Sequence, residues 1–186
     1  MRCLLLLSVL LTGTAFSQFK VEDYYQDSFK GDWGKAFTAC FKAMDSSGRG
    51  SLDLDGSKKY YFKTSAELPR YATKGRRIFV INGNGATLQA SNDTVCIFNR
   101  IPVSQEEALK KMMKTRFTIN DLTFLSGSKG INLGATYQTS INRCNFQSQK
   151  DASVDIQFGL STSINHCNSL NAFQDNYILR TGEDWG

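Results

Sequence analysis

The last third of the chain repeats itself at a short, nearly constant interval. Shifted by 23 residues, Ile131-Asn132-Leu133 falls on Val154-Asp155-Ile156 and then on Tyr177-Ile178-Leu179. The same shift lays Ser140-Ile141-Asn142-Arg143-Cys144-Asn145 on Ser163-Ile164-Asn165-His166-Cys167-Asn168. At a shift of 22, Thr118 to Phe124 precedes Ser140 to Phe146. Self-similarity at such an interval marks a repeat architecture, in which each unit buries its apolar face only against its neighbours. Each unit holds three short apolar pieces separated by polar corners and no segment of helix length. Alternation in Ile131-Asn132-Leu133 is that of a strand. A leucine-rich repeat would show Leu-x-x-Leu-x-Leu, which is absent. Three strands and three turns in about 22–23 residues describe one coil of an all-β, parallel β-helix.

Strands on successive coils stack at roughly 4.8 Å, so equivalent residues form columns along the axis. Ile119, Ile141 and Ile164 predict one inward column, and Leu122, Cys144 and Cys167 another. Asn120, Asn142 and Asn165 predict a corner column, since asparagine tolerates the left-handed backbone such corners need and stacked amides bond along the column. Cys144 and Cys167 become stacked neighbours with parallel inward side chains. That orientation is poor for a disulfide torsion and predicts a reduced, buried pair.

The chain begins with Arg2, an apolar run from Leu4 to Leu11 broken only by Ser8, and Ala15-Phe16-Ser17 as a small-x-small site. This reads as a signal peptide over 1–17, followed by a single domain over 18–186. The apolar run is far short of the roughly 20 residues that span a bilayer, so no membrane span is expected. The product should be secreted and extracellular, or periplasmic. Cleavage leaves Cys40, Cys96, Cys144 and Cys167, which allow three disulfide pairings. With no Cys-x-x-Cys and His166 the only histidine, no metal site is expected.

Trp33, Ala36, Phe37, Cys40, Phe41 and Met44 share one helical face, with Asp32 as N-cap and Gly48 and Gly50 at the exit. A helix over 32–46 with one apolar face suits a lid on the first coil. Strand-like pieces over 51–90 make a first coil region, and 95–186 carries the further coils. An insertion at 99–114 interrupts them. Ser104-Gln105-Glu106-Glu107 reads as a capping box, and Ala108, Leu109, Met112 and Met113 as the apolar face of a short helix.

The order of these parts resembles the N-terminal module of the pectate lyase superfamily. The residues that carry the resemblance are Gly31-Asp32-Trp33, the Ala36–Met44 helix, its glycine exit, the Leu52–Phe62 piece, Ile81-Asn82-Gly83-Asn84-Gly85-Ala86-Thr87-Leu88, and coils ending Ile-x-x-Cys-x-Phe. The resemblance covers about residues 28 to 182 and implies a right-handed parallel β-helix. It further implies loops that wall a substrate groove, here the 99–114 insertion. The superfamily includes lyases, glycosidases, epimerases and non-catalytic tailspike or adhesin modules.

The formal net charge is +5, and two clusters carry much of the excess: Arg70, Lys74, Arg76 and Arg77; and Arg100, Lys110, Lys111, Lys114 and Arg116, offset by Glu106 and Glu107. Such a surface favours an acidic partner, and export argues for a uronate-rich polysaccharide over nucleic acid. Uronate elimination needs a base and a positive charge to neutralise the carboxylate, whereas hydrolysis needs paired carboxylates. The outward positions of the first strand, Asn132, Asp155, Gln157 and Ile178, are the expected groove floor. Asn132, Gln157, Lys110, Lys111 and Lys114 are candidates for binding substrate. Asp155, Arg143 and His166 are the catalytic candidates. Asp121, Arg143 and His166 form a column that reads as an acid–base set or, more simply, as a surface ladder on a convex corner. Tyr137, Phe158 and Tyr177 are aromatic candidates for sugar stacking, with core packing as the plainer role. The Ca²⁺ that such lyases often use has no motif here, so no cofactor is assigned. If the chain is active, a polysaccharide lyase fits better than a glycoside hydrolase; a non-catalytic adhesive module is the alternative. The chain stops at Thr181 to Gly186, just after a strand opens a new coil. That predicts a C-terminal truncation with loss of activity, or a homo-oligomer or other chain covering the end.

Overall fold

The computed structural model describes residues 17–91, 93–99, 102–112 and 114–180. Residues 1–16, Asn92, Arg100, Ile101, Met113 and the segment 181–186 lie outside the described residues, and so do the expectations placed on them, the signal peptide among them.

Three all-parallel sheets carry the chain. Sheet A runs β1 (Ser17–Phe19), β2 (Arg49–Asp53), β5 (Arg77–Asn82), β8 (Thr115–Asn120), β11 (Gln138–Asn142) and β14 (Thr162–Asn165). Sheet B runs β3 (Lys59–Phe62), β6 (Thr87–Ala90), β9 (Thr123–Leu125), β12 (Asn145–Gln147) and β15 (Asn168–Leu170). Sheet C runs β4 (Ala66–Glu67), β7 (Val95–Phe98), β10 (Lys129–Thr136), β13 (Ala152–Gly159) and β16 (Asp175–Arg180). From β2 onward, consecutive strands of the chain fall in different sheets, and each sheet grows by one strand per circuit. This is the arrangement of a parallel β-helix.

The registers build the inward columns. Ile81, Ile119, Ile141 and Ile164 are paired in sequence across sheet A. Leu88, Phe124 and Phe146 do the same in sheet B, where the Phe124 and Phe146 rings stack at 4.8 Å and 7°. Aligned side chains from all three sheets meet in one buried core. The two cysteine side chains lie parallel: Cys144 Sγ faces the carbonyls of Ile119 and Asn142, and Cys167 Sγ those of Ile141 and Asn165. Both are free thiols, Cys144 buried as expected and Cys167 only half-buried, because its coil is the more open one at this end of the stack.

Helix α1 (Trp33–Ser47) closes the first coil. Ala36, Phe37, Cys40, Phe41 and Met44 are wholly buried, and Phe41 stacks on Phe79 at 6.1 Å. Asp32 caps the helix through Gly34 N at 3.1 Å. The same carboxylate accepts from Lys63 N, Thr64 N and Thr64 Oγ1, fixing the helix to the turn after β3. Gly48, at φ 81°, ends the helix in the left-handed conformation.

Asparagines form a ladder along the outer face of sheet A. Asn82 Nδ2 donates to Asp53, Asn120 to Asn82, Asn142 to Asn120 and Asn165 to Asn142, at 2.7–3.0 Å. The left-handed positions are not these residues but those after them: Asp121 (φ 55°), Arg143 (φ 52°) and His166 (φ 53°). Each asparagine stays extended, which holds its amide in line with the next coil, and the following residue makes the turn. Register offsets along the ladder are 29, 38, 22 and 23 residues, so the tight interval belongs to the later strands.

The insertion between β7 and β8 forms α2 (Gln105–Glu107), which continues as a π-helical turn over Ala108–Met112. Ser104 Oγ accepts from Glu107 N at 3.1 Å, one half of the expected capping box. The other half is replaced, because the Glu107 carboxylate accepts from Val103 N instead. Ala108 and Met112 are buried against Ala135, whereas Leu109 is exposed. The wider π winding turns Leu109 off the face that a regular α-helix would give it. Exposure rises over β14, β15 and β16, where Leu170, Phe173 and Leu179 are largely open.

Candidate anion-binding site

The expected groove floor on sheet C is covered. Asn132 and Asp155 are adjacent in register, but they are only 8% and 0% exposed. Lys129 lies across this face, its Nζ 2.5 Å from Asp155 and 3.2 Å from Asp151. Burial pulls the Lys129 pKa down, and the two carboxylates more than offset it, leaving it above the ordinary lysine value. A buried carboxylate needs such a partner. Beside it, the insertion packs Ala108 and Met112 on Ala135, with Phe158 against them. Alternation puts Asp155 outward as expected, but outward here is not open. Gln157 is half-buried.

The ammonium of Lys129 also occupies the place where a cation would meet Asp155. Among the described residues no group of three or more His, Cys, Asp or Glu gathers as a cation site. These residues do not fit Ca²⁺.

Arg143 and His166 sit at the turn between sheets A and B, both exposed. Arg143 grips Asp121 with two bonds of 2.7 Å, which lowers the Asp121 pKa and raises its own. Asp121 and Arg143 line a shallow cavity of about 320 Å³ with Asn84, Thr123 and Asn145, in which the carboxylate is already held by the arginine; His166 does not line it. Lys110 is exposed and paired with Glu106, and Lys111 is exposed. Phe158 is packed against the insertion, and Tyr177 meets Phe146 edge-on.

Two other candidates, Lys114 and Tyr137, enter a larger and more basic cavity. It has a volume of about 600 Å³ and lies over the outer face at the start of sheet A, between the 70–76 loop and the end of the insertion. In β8, Thr115, Phe117 and Ile119 are buried, so Arg116 must face out. Register then lines up Arg49, Ile78, Arg116 and Gln138 on four neighbouring strands. Arg76 enters from the loop and Lys114 from the insertion. The guanidinium groups of Arg76 and Arg116 both approach the Tyr137 ring, at 5.9 and 5.2 Å. Ile78 and Leu109 add an apolar wall, and among the described residues no carboxylate lines the cavity.

The two basic clusters therefore divide into two kinds of residue. Arg70 is held by Glu107, Arg77 by Asp45 and Lys110 by Glu106. Arg76, Lys114 and Arg116 make no ion pair among the described residues, nor do Lys74 and Lys111, but only the first three meet at the cavity. Like charges gathered without a counter-charge repel, and an anion relieves that repulsion.

The walls are tied together. Arg70 donates twice to Glu107, at 2.9 and 2.8 Å; Tyr71 Oη and Val103 N donate to the same carboxylate. These bonds, led by Arg70 and then Tyr71, hold the Glu107 pKa down at about 2. Behind the cavity, Arg77 is wholly buried and paired with Asp45.

A second cavity of about 550 Å³ shares Ile78 and Arg116 with the first and continues over Thr118, Gln138, Ser140 and Ser163. The trough as a whole thus changes from cationic to neutral and hydroxyl-lined along the stack. Arg49 and the pairing of Arg76 with Arg116 are not apparent from sequence, because the 38-residue offset between β5 and β8 breaks the repeat interval there. Comparisons with protein families, with curated proteins and with solved structures find no match to this chain.

Proposed function

We propose that this chain is an exported, right-handed parallel β-helix of the pectate lyase kind, with about 22–23 residues per coil in its repeating part, that binds an anionic polysaccharide. The single observation that carries the proposal is the convergence of Arg76, Lys114 and Arg116, none of them ion-paired among the described residues, on one cavity beside Tyr137. Guanidinium groups held against an aromatic ring present their N–H edges to carboxylate or sulfate oxygens. Ile78 and Leu109 give a sugar ring an apolar surface to lie on. Binding is favoured over hydrolysis because no carboxylate among the described residues lines either of these two cavities, whereas glycoside hydrolysis uses two.

The test is calorimetric titration of the full-length secreted protein with polygalacturonate and with a neutral glucan. The uronate polymer should bind and the neutral one should not. Arg76→Gln with Arg116→Gln should weaken binding at least about tenfold, or ~1.4 kcal/mol. Rising salt should weaken it further. Equal binding of both polymers, or of neither, sinks the proposal. Following ultraviolet absorbance in the same mixtures separates a lyase, which forms unsaturated product, from a binding module, which does not.

A further inference from the structure

The charge in this trough is confined to one end. Arg49, Arg76, Lys114 and Arg116 line the first cavity, and past Arg116 the outward rows of sheet A carry no charge from β5 to β14; Asp53 of β2, which ends the asparagine row, lines neither cavity. One row is Val80, Thr118, Ser140 and Ser163; the next is Asn82, Asn120, Asn142 and Asn165. Successive strands bring these groups up at roughly 4.8 Å, close to the length of one sugar unit in a linear chain.

The neutral rows are pre-oriented. Ser163 Oγ donates to Ser140 Oγ at 3.1 Å, and Ser140 Oγ donates to Asn142 Oδ1 at 3.2 Å. The ladder uses one N–H of each amide, at Asn120, Asn142 and Asn165, and leaves the second directed away from it. Donors and acceptors at coil spacing match sugar hydroxyls. They offer nothing to offset the desolvation of further carboxylates.

We infer that the trough takes a glycan charged at one end: an anionic unit seated among Arg76, Lys114 and Arg116, followed by neutral, hydroxyl-rich units laid over Gln138, Ser140 and Ser163. This rests on the anionic-glycan reading above and narrows it, because a uniformly charged polymer meets counter-charge only at its first unit or two.

Four probes test it against the full-length protein: a uronate monosaccharide, a neutral hexasaccharide, the same hexasaccharide with one terminal uronate, and a hexasaccharide of uronate throughout. The end-charged hexasaccharide should bind at least tenfold tighter than the monosaccharide and no more weakly than the all-uronate one. S140V/S163V should cost the end-charged hexasaccharide about tenfold and leave the monosaccharide unchanged. Valine suits an outward strand position, so the fold should hold. If that variant does not fold, Gln138→Val at the exposed start of β11 should reproduce the loss for the hexasaccharide alone. Tighter binding of the all-uronate chain, or no gain with length, overturns the end-charged inference and leaves the basic pocket standing. Failure of every anionic probe to bind overturns both.

Discussion

Arg77 offers the sharpest test of how the cavity wall is built. Its guanidinium has no exposure, and Nη1 lies 3.2 Å from Asp45 Oδ1, whose side chain is 3% exposed. Nε donates to Thr115, and Nη1 also reaches the Tyr71 carbonyl at 3.4 Å. Asp45 in turn accepts from Thr73 N and Thr73 Oγ1. The pair therefore joins α1, the 70–76 loop, β5 and β8. Arg77→Met removes the cation and leaves Asp45 buried with only the two Thr73 donors. Breaking one side of such a pair costs about 3–5 kcal/mol. At roughly 2–4 °C per kcal/mol for a chain of this size, the melting temperature should fall by about 6–20 °C. Urea unfolding followed by Trp33 fluorescence gives the free energy directly. The double variant Asp45→Asn/Arg77→Met removes both charges together, so it should lose about 2–3 kcal/mol less than the sum of the single variants. Additivity within about 0.5 kcal/mol would refute the reasoning, since it would mean that water already reaches the charges.

Other predictions follow from the ladder, the clasp and the thiols. Asn120→Ala removes two ladder bonds and Asn165→Ala one; losses of about 1–3 and 0.5–1.5 kcal/mol in urea unfolding are expected, in that order. Because the folded pKa of Glu107 lies at about 2, below its ordinary 4.5, the clasp contributes fully above pH 4.5 and is lost as pH falls toward 2. Acid titration of the wild type should therefore loosen the insertion in that window, read as hydrogen exchange at Val103 and Glu107, and Glu107→Gln should abolish the pH dependence. Burial pushes the Cys40 and Cys144 thiols up to about 12 and the Cys96 thiol higher still. Alkylation of the native protein at neutral pH should spare all three and label them once urea unfolds the chain; rapid native labelling of Cys96 would contradict the core described here. Gly83→Ala would bring a Cβ within 2.3 Å of the Asp121 carbonyl and 2.4 Å of Leu122, so the variant should unfold at clearly lower urea than wild type.

The sequence by itself determined the parts that depend on local period. Ile119, Ile141 and Ile164 had to stack because equal spacing in the chain becomes equal position on successive coils. The apolar face of α1 had to be buried because six apolar side chains, four of them large, share it. The parallel cysteine side chains followed from the same stacking. Tertiary structure decided what lies above each outward residue. Alternation places Asp155 and Arg116 outward alike, yet Lys129 seals one and a cavity opens over the other. Which cations stay unpaired was equally out of reach, because Arg70 and Arg76 differ only in whether folding brings a carboxylate such as Glu107 to them. The candidate site therefore arises where the repeat interval fails, at the insertion between β7 and β8. There a variable loop, not the coil period, sets which charges meet.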